Sequence, residues 1–361
     1  MTRNQKPVSS IDYPASRARP FIIPIFIPHA GCPHRCVFCN QVPLAGVSRV
    51  ALEPEKVRLH IGEFLNYKSE NRKPVEIAFF GGNFLGLPQS EIKFWLALAG
   101  EYVSRGQVDG IRFSTRPDTI EAGRLEILTD YPISTVELGA QSMDDQVLAL
   151  AGRGHSAADT IRAVAALKKR QIRVGLQMMV GLPGDSESRA VQTARKMADL
   201  SPACVRIYPT VVVAESRLAK WYQHGRYRPL SLEDAVTLVK KVYLIFEQEG
   251  ITVIRMGLQA SDDLDDGSTV LAGPYHPAFG HLVHSEIFLD KTLKTIEAAG
   301  LIKDKLTIFV NPRSISKMRG LSNSNIKKLK NWLQLDSVTV LPDAHLAEEE
   351  VNIEHPISKS E

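Results

Sequence analysis

The sequence FIIPIFIPHAGCPHRCVFCN, residues 21–40, places an apolar run directly before three cysteines. The run at 21–28 has the continuous hydrophobicity of a buried parallel strand, and its prolines favour an edge position or a strand end. Cys32, Cys36 and Cys39 then follow with the spacing C-x3-C-x2-C. Functional loops of α/β barrels leave the carboxyl ends of their strands. The stretch therefore predicts a parallel sheet whose first strand leads into a thiol-rich site.

The cysteine spacing suits an iron–sulfur cluster. Three thiolates can bind one face of a [4Fe–4S] cube and leave its fourth iron without a protein ligand. The remaining cysteine, Cys204, lies 165 residues after Cys39. A disulfide framework is disfavoured because three clustered cysteines cannot all pair. Two alternatives stay open, a Cys3His zinc site completed by His29 or His34 and thiols without a ligand role.

The pattern of the first strand repeats along the chain. Five more apolar runs follow at intervals near 30 residues, each separated from the next by a helical pattern, and a further short strand is predicted at 250–256. Such alternation predicts a parallel sheet with right-handed crossovers. Six units are fewer than the eight of a closed barrel, so a partial barrel and a doubly wound sheet both stay open. The five runs are 75–80, 110–115, 135–140, 172–180 and 204–209.

Composition divides the chain into four parts. Residues 1–20 are predicted to be a flexible lead-in, and 21–285 the sheet domain with its extension. Residues 286–345 form a small basic appendage, and 346–361 an acidic tail that is predicted to be disordered from Glu348. The segment 291–330 holds ten Lys or Arg against two acidic residues. This block suits an anionic partner such as RNA or is an ordinary solvated face.

Composition also bounds the compartment. The net charge is +4 and 44% of the residues are hydrophobic. No apolar run approaches the ~20 residues of a membrane span, and the first residues lack the apolar core of a secretory signal. Four cysteines without an even framework fit a reducing compartment. We therefore predict a cytoplasmic protein without a membrane partner, and nothing in the sequence indicates DNA.

Several residues at strand ends are candidates for ligand contact. Gly81 and Gly82 follow the second strand, where a missing Cβ lets the backbone approach a ligand. Gln141 follows the fourth strand and Gln177 interrupts the fifth, and a buried amide must be hydrogen-bonded. Each feature taken alone is compatible with a purely structural role. Two further candidates are Arg153, which could clamp a carboxylate, and Phe38, which could stack on a heterocycle or shield a cluster.

The three cysteines with Phe38 resemble the signature of radical S-adenosylmethionine (SAM) enzymes. Gly81 and Gly82 resemble the pair that contacts the SAM amino group in that superfamily. Five other segments resemble the group containing oxygen-independent coproporphyrinogen oxidase and the Elongator catalytic subunit. Two of the five, at 206–209 and 273–280, resemble Elongator more closely. The resemblance covers residues 21–285, and these segments are ELGAQS (137–142), GRGH (152–155), QMMVGLPG (177–184), RIYP (206–209) and GPYHPAFG (273–280).

This resemblance implies an α/β fold, a partial (β/α)6 barrel with a small C-terminal α+β appendage. It implies a [4Fe–4S] cluster on Cys32, Cys36 and Cys39, with SAM held by Gly81, Gly82, Asn83, Gln141, Arg153 and Gln177. Reductive cleavage of SAM would give a 5′-deoxyadenosyl radical that abstracts hydrogen from a substrate, with electrons from a protein such as flavodoxin or ferredoxin. Asn83 stands where relatives usually have Thr. The roughly 75 residues after Glu286 are too few for Elongator's acetyltransferase domain, so acetyl transfer is not implied.

The substrate is the open part of this prediction. Tyr208, Tyr275 and His276 are candidates for its side of the site. His281 and His284 with Glu286 could bind a metal, although structural roles are the simpler interpretation. Three hypotheses follow, namely a radical SAM enzyme on an RNA base such as one of tRNA, a radical SAM enzyme on a tetrapyrrole-like acid, and a non-catalytic zinc- or RNA-binding module.

Overall fold

The computed structural model describes residues 20–27, 31–40, 53–67, 73–259, 269–300 and 304–354. Seven parallel strands form the main sheet, and their order in the sheet is their order in the chain. A doubly wound sheet would reverse its order at a switch point, so that alternative is wrong and the partial barrel is confirmed. The strands are β1 (Phe21–Phe26), β2 (Val75–Phe80), β3 (Gly110–Thr115), β4 (Ile133–Gln141), β5 (Arg173–Val180) and β6 (Cys204–Pro209), then a hairpin strand β7 (Val212–Val213), and β8 (Val253–Met256), which pairs with β6.

Helices cover the outer face of this sheet. Their N-termini follow the sequence closely, since Ser156 and Asp159 form a capping box and Asp144 accepts two backbone N–H groups. After β3, Asp118 pairs with Arg116 in a 3-10 turn, and the next helix starts only at Ala122. The helices are α1 (Pro54–Asn66), α2 (Gln89–Ser104), α3 (Ala122–Leu128), α4 (Asp145–Leu150), α5 (Ala157–Lys169), α6 (Glu187–Asp199), α7 (Arg217–Gln223) and α8 (Leu232–Gln248).

The two faces of the strands bury different chemistry. Outward positions such as Ile77 are fully buried among apolar side chains of the helices. Inward positions carry a buried ionic network, in which Arg112 Nε donates to Glu76 at 2.7 Å and Nη1 donates to Glu137 at 2.8 Å. Arg206 Nε reaches the other Glu137 oxygen at 2.5 Å. Four strands are therefore joined through the interior by ion pairs rather than by apolar packing.

A C-terminal lobe follows a second hairpin strand, β9 (Val270–Ala272), which pairs with β7. The lobe has a three-stranded sheet in which β10 is central, parallel to β11 and antiparallel to β12. One long helix packs Val283 on the main core and Phe288 on the lobe's own core, and the predicted boundary at 286 falls between them. The lobe elements are α9 (Phe279–Ala299), β10 (Lys305–Val310), α10 (Ile315–Arg319), α11 (Ser324–Trp332), β11 (Ser337–Pro342) and β12 (Val351–Glu354).

The acidic tail differs from its prediction. Disorder from Glu348 is wrong for the described residues, because β12 completes the lobe sheet and Glu348 pairs with Arg313 at 2.7 Å. Composition alone hides this, since only four residues enter the strand and their partner lies far away in sequence. Residues 355–361 of the tail and residues 1–19 of the predicted lead-in lie outside the described residues. No helix among the described residues is long and apolar enough to cross a membrane.

Candidate active site

The cysteine loop, residues 31–40, is held by hydrogen bonds to three other segments of the chain. Val37 N–H donates to Ala151 O at 3.0 Å, and Val37 O accepts from Leu218 N–H at 2.8 Å. Asn83 Nδ2 donates to Gly31 O at 2.6 Å. The three segments follow different strands, namely β2 for Asn83, β4 for Ala151 and β7 for Leu218. The thiols are therefore fixed by surrounding elements and have no helix or strand of their own.

The loop start packs backbone against backbone. An added Cβ at Gly86 would lie 2.0 Å from Gly31 O and 2.3 Å from Asn83 Nδ2. We predict that Gly86→Ala lowers the melting temperature of the cluster-free protein, at a cost of about 1–3 kcal/mol for overpacking. Gly62→Ala is the matched control, because a Cβ there meets nothing within 4 Å in the middle of α1. The control should raise stability slightly. Equal melting temperatures for the two variants would contradict the packing.

The thiol loop opens on a cavity of about 630 Å³ at the carboxyl ends of the strands. All four cysteines of the chain are free of disulfides. Among the described residues, no three Cys, His, Asp or Glu side chains converge on a single-ion site. A [4Fe–4S] cube, by contrast, takes its thiolates at separate irons. The predicted residues that line this one cavity are Cys32, Cys36, Phe38, Cys39, Gly82, Gln141, Arg153 and Gln177, and His34 of the zinc alternative lines it too.

Two guanidinium groups face the Cys36 sulfur. Arg153 Nη1 lies 3.1 Å from Cys36 Sγ, and Arg116 Nη1 lies 3.8 Å from it. Arg116 is anchored by a bidentate pair with Asp118, at 2.9 Å on both oxygens, and also donates to Arg153 O. Both groups therefore place positive charge beside this sulfur. The sequence-based prediction did not include Arg116, although an arginine directly after the third predicted strand was the available signal.

Arg153 and the two glutamines line the wall next to the cysteines. Arg153 Nη2 donates to Gly139 O at 2.5 Å, whereas its Nε is buried without a hydrogen-bond partner among the described residues. Gln177 Nε2 donates to Gln141 Oε1 at 3.3 Å. Gln141 adopts φ 67°, a left-handed conformation that few side chains adopt without a reason. This wall therefore offers one orphaned cationic donor and a pair of amides.

Glu137, which the sequence offered only as part of the ELGAQS motif, also lines the cavity. Its carboxylate receives Arg112 and Arg206, so its charge is neutralised within the protein. The two guanidinium groups hold its pKa below the ordinary value in spite of the opposing effect of burial, which is the largest. Glu137 therefore stays ionised as a fixed hydrogen-bond acceptor and does not serve as a free base.

Asn83 and Gly81 support the site from outside the cavity. Asn83 is 1% exposed, and its Oδ1 accepts from Thr115 Oγ1 at 2.7 Å and from Arg116 N–H at 3.0 Å. With its Nδ2 on Gly31, this amide ties the cysteine loop to the end of β3. Gly81 has φ +93°, and an added Cβ would meet Ile27 O at 3.0 Å. Neither residue is among those lining the cavity, so SAM contact by Gly81 and Asn83 stays a prediction.

The substrate-side candidates also lie apart from the cavity lining. Tyr208 sits at the carboxyl end of β6, where its hydroxyl accepts from Arg206 at 3.4 Å. Tyr275 and His276 lie in the turn before α9, and His276 Nδ1 accepts from Ala278 N–H at 3.0 Å. His284 stacks edge-on against a tyrosine, and Glu286 pairs with Lys328. His281, His284 and Glu286 form no metal site among the described residues.

His155 gives the folded protein a pH dependence. Burial, with a further contribution from Arg153, lowers the pKa of His155 from 6.5 to about 4. Its Nε2 lies 3.2 Å from Ala140 O. The unfolded chain therefore binds a proton between pH 6.5 and 4 that the folded chain does not, and stability is lost as the pH falls through this window. The full loss is roughly 3 kcal/mol.

We predict that His155→Gln flattens this acid dependence of the melting temperature in the cluster-free protein. Burial raises the pKa of Asp185 to about 6, which acts with the opposite sign, but Asp185 is present in both proteins and cancels in the comparison. Parallel curves for the parent and the variant between pH 7 and 4 would contradict the assignment to His155.

Comparison with known proteins agrees with this geometry. The Radical SAM superfamily model matches residues 26–197, and the Radical_SAM C-terminal domain model matches 202–288. An uncharacterized protein of Methanocaldococcus jannaschii, MJ0486, is 33% identical over 230 residues, which are 61% of this chain and 70% of that protein. A tRNA uridine(34) acetyltransferase of Dehalococcoides mccartyi is 25% identical over 233 residues, 55% of this chain and 50% of that protein.

Among solved structures, the archaeal Methanocaldococcus infernus Elp3 with an N-terminal deletion superposes with a TM-score of 0.57 at 20% identity. The match covers 74% of this chain and 62% of that chain, and at this identity it concerns the fold. The chain spans about half the length of the tRNA uridine(34) acetyltransferase it matches. From these matches, the chain belongs to the radical SAM superfamily, whose members use S-adenosylmethionine and a [4Fe–4S] cluster.

Proposed function

We propose that this protein is a radical SAM enzyme that abstracts a hydrogen atom from a base of tRNA. The observation that carries the proposal is the single cavity lined by three cysteines, Arg153 and two glutamines. Once bound and reduced, the cluster and SAM would supply a 5′-deoxyadenosyl radical as the hydrogen acceptor. Because the reduction needs one electron at a time, a flavodoxin- or ferredoxin-type protein is the proposed electron donor.

The residues of the cavity fit a cluster held by three thiolates. Cys32, Cys36 and Cys39 line one side, and two guanidinium groups beside Cys36 Sγ would offset the negative charge of a thiolate-bound cluster. Hydrogen bonds to sulfur also raise the reduction potential of such a cluster. Arg153 and Arg116 would therefore make the cluster easier to reduce.

The wall next to the cysteines fits the amino-acid end and the ribose of SAM. The buried, unpartnered Nε of Arg153 suits a carboxylate, because a buried donor without an acceptor is costly. Gln141 and Gln177 present amides that would bind ribose hydroxyls, and Gly82 leaves room for close backbone contact. Phe38, on the cysteine loop, would exclude water from the cluster. In these assignments, the residues of the chain orient SAM and the cluster, and the cofactors supply the radical chemistry.

The choice of tRNA rests on the relatives. The matched D. mccartyi protein is named a tRNA uridine(34) acetyltransferase, and the basic lobe supplies charge that suits a polyanion. No observation specific to this chain favours a tetrapyrrole-like acid over RNA. The whole activity of the longer relatives is not transferred, because this chain spans about half the length of the matched acetyltransferase.

Deuterium transfer tests the proposed substrate directly. Reconstituted protein is mixed under nitrogen with SAM, a reductant and tRNA whose bases carry deuterium, and 5′-deoxyadenosine is analysed by mass spectrometry. Deuterium in the product is the expected result, because the abstracted atom ends on the 5′ carbon. The comparison is a deuterated pool of small acids, fractionated from the cells that supply the deuterated tRNA. Deuterium-free product with every tRNA, alongside label transfer from the small-acid pool, would contradict a tRNA substrate.

A further inference from the structure

The fold divides the basic residues of the C-terminal lobe into two sets. In the first set, three cations form ion pairs with Glu348 and Glu349, which lie just before β12. Lys291 and Lys317 pair with Glu349 at 3.6 and 3.5 Å, and Arg313 pairs with Glu348 at 2.7 Å. These cations are therefore committed to holding the lobe together and offer little net charge to a partner.

The second set faces solvent without acidic neighbours. Arg319 ends α10, and Lys327 and Lys330 lie on α11, and all three are exposed. No acidic partner for them occurs in the part of the chain that the structure describes. Asn325 and Leu329 are fully buried on the inner side of α11, so Lys327 and Lys330, three residues apart, share its outer side.

A groove with both polar and apolar side chains in its lining includes Arg319. It encloses about 480 Å³ between α9 and the α10–α11 connection. Its lining includes Ser316, Ser322 and Asn323, whose hydroxyl and amide groups donate hydrogen bonds to phosphate and sugar oxygens. His281 lines the opposite side, and burial together with the nearby Lys317 lowers its pKa, so it stays neutral at neutral pH.

One side of the groove lies near the carboxyl end of a strand of the main sheet. His281 lies in the first turn of α9, next to Gly280, whose added Cβ would lie 3.3 Å from Met256 O. Met256 is the last residue of β8, which is parallel to the other strands of the main sheet. The groove therefore begins beside the carboxyl end of β8, and the cavity lies at the carboxyl ends of β1 to β5.

We propose that Arg319, Lys327, Lys330 and this groove form a docking surface for the phosphate backbone of RNA, which leads a bound tRNA toward the open end of the barrel. The surface rests on the proposed function for its choice of tRNA. Several separated, unneutralised cations beside hydroxyl and amide donors suit an extended polyanion, since each phosphate contact releases counterions.

Salt-dependent binding of a tRNA transcript tests the surface. Fluorescence anisotropy is compared for the parent, a face variant carrying Arg319→Gln, Lys327→Gln and Lys330→Gln, and a control variant carrying Lys56→Gln, Arg162→Gln and Lys241→Gln. Both variants lose three charges, but the control cations are on outer barrel helices and already pair with acidic residues. The thermal unfolding of all three proteins is recorded first, to show that the exposed substitutions leave the fold intact.

The face variant is expected to bind the tRNA transcript at least about tenfold more weakly near 0.1 M salt. The slope of log K against log salt is negative, and its magnitude should decrease by about 2–3. The control variant should follow the parent. Equal losses in both variants, or no loss in either, would overturn the surface. Deuterium transfer in the parent reports separately on the proposed function. If the parent transfers deuterium from tRNA but the face variant binds tRNA as tightly as the parent, the docking surface is wrong and the proposed reaction stands. If the face variant binds tRNA more weakly but the parent transfers no deuterium, the proposed reaction is wrong and the docking surface stands.

Discussion

Cys36→Ala is expected to abolish cluster assembly. After anaerobic reconstitution, the parent should hold about four iron and four sulfide per chain, and the variant close to none. The physical reason is that Cys36 is the cysteine whose sulfur faces both Arg153 and Arg116, so its loss removes the ligand that these two cations stabilise. Iron and sulfide analysis, together with the EPR spectrum of the reduced protein, measures the effect.

Cys204→Ala is the matched control for that experiment. Cys204 is buried in β6, and burial raises the pKa of its thiol, which disfavours the thiolate needed for ligation. The control should assemble the cluster like the parent and lose only a little stability. A Cys204 variant without a cluster, or a Cys36 variant with a full one, would contradict the assignment of the three ligands.

Glu137→Gln is expected to have the largest effect on folding. The substitution removes a charge that faces Arg112 and Arg206 in the barrel interior and leaves two buried guanidinium groups undercompensated. Breaking a buried ion pair on one side costs about 3–5 kcal/mol. Urea unfolding of the cluster-free protein should therefore show a much lower midpoint at an unchanged slope.

Glu187→Gln provides the comparison for this loss. Glu187 pairs with Lys241 at 2.6 Å, but both side chains are about half exposed, and surface pairs contribute roughly 0–1 kcal/mol. Its midpoint should stay near that of the parent. If Glu137→Gln and Glu187→Gln shifted the urea midpoint equally, the ion pairs of the barrel interior would not stabilise the fold more than a surface pair does.

Local signals in the sequence were enough for most of the sheet. β2, β3 and β6 begin and end where the apolar runs predicted, because glycine, proline or polar residues bound each run. The eight predicted residues that meet in one cavity do so for a topological reason. They lie in the carboxyl-terminal parts of parallel strands or in the segments that follow these strands, and the carboxyl ends of parallel strands share one edge of the sheet.

What the sequence could not provide depends on register and long-range pairing. Glu76 and Arg112 interrupt apolar runs, and only the packing of neighbouring strands shows that they pair in the interior. Asn83 was predicted to contact SAM, and its amide binds Gly31 and the end of β3. The strand β12 pairs with residues more than 40 positions earlier, which composition does not encode.

The central claim is that the cysteine cavity cleaves SAM, and anaerobic formation of 5′-deoxyadenosine tests it most directly. Reconstituted, dithionite-reduced protein is incubated with SAM, with and without tRNA, beside the Cys36→Ala variant. The account predicts 5′-deoxyadenosine that requires both reductant and SAM and is absent from the variant. A fully assembled and reduced cluster that yields no 5′-deoxyadenosine, even with tRNA present and SAM bound by calorimetry, would contradict it.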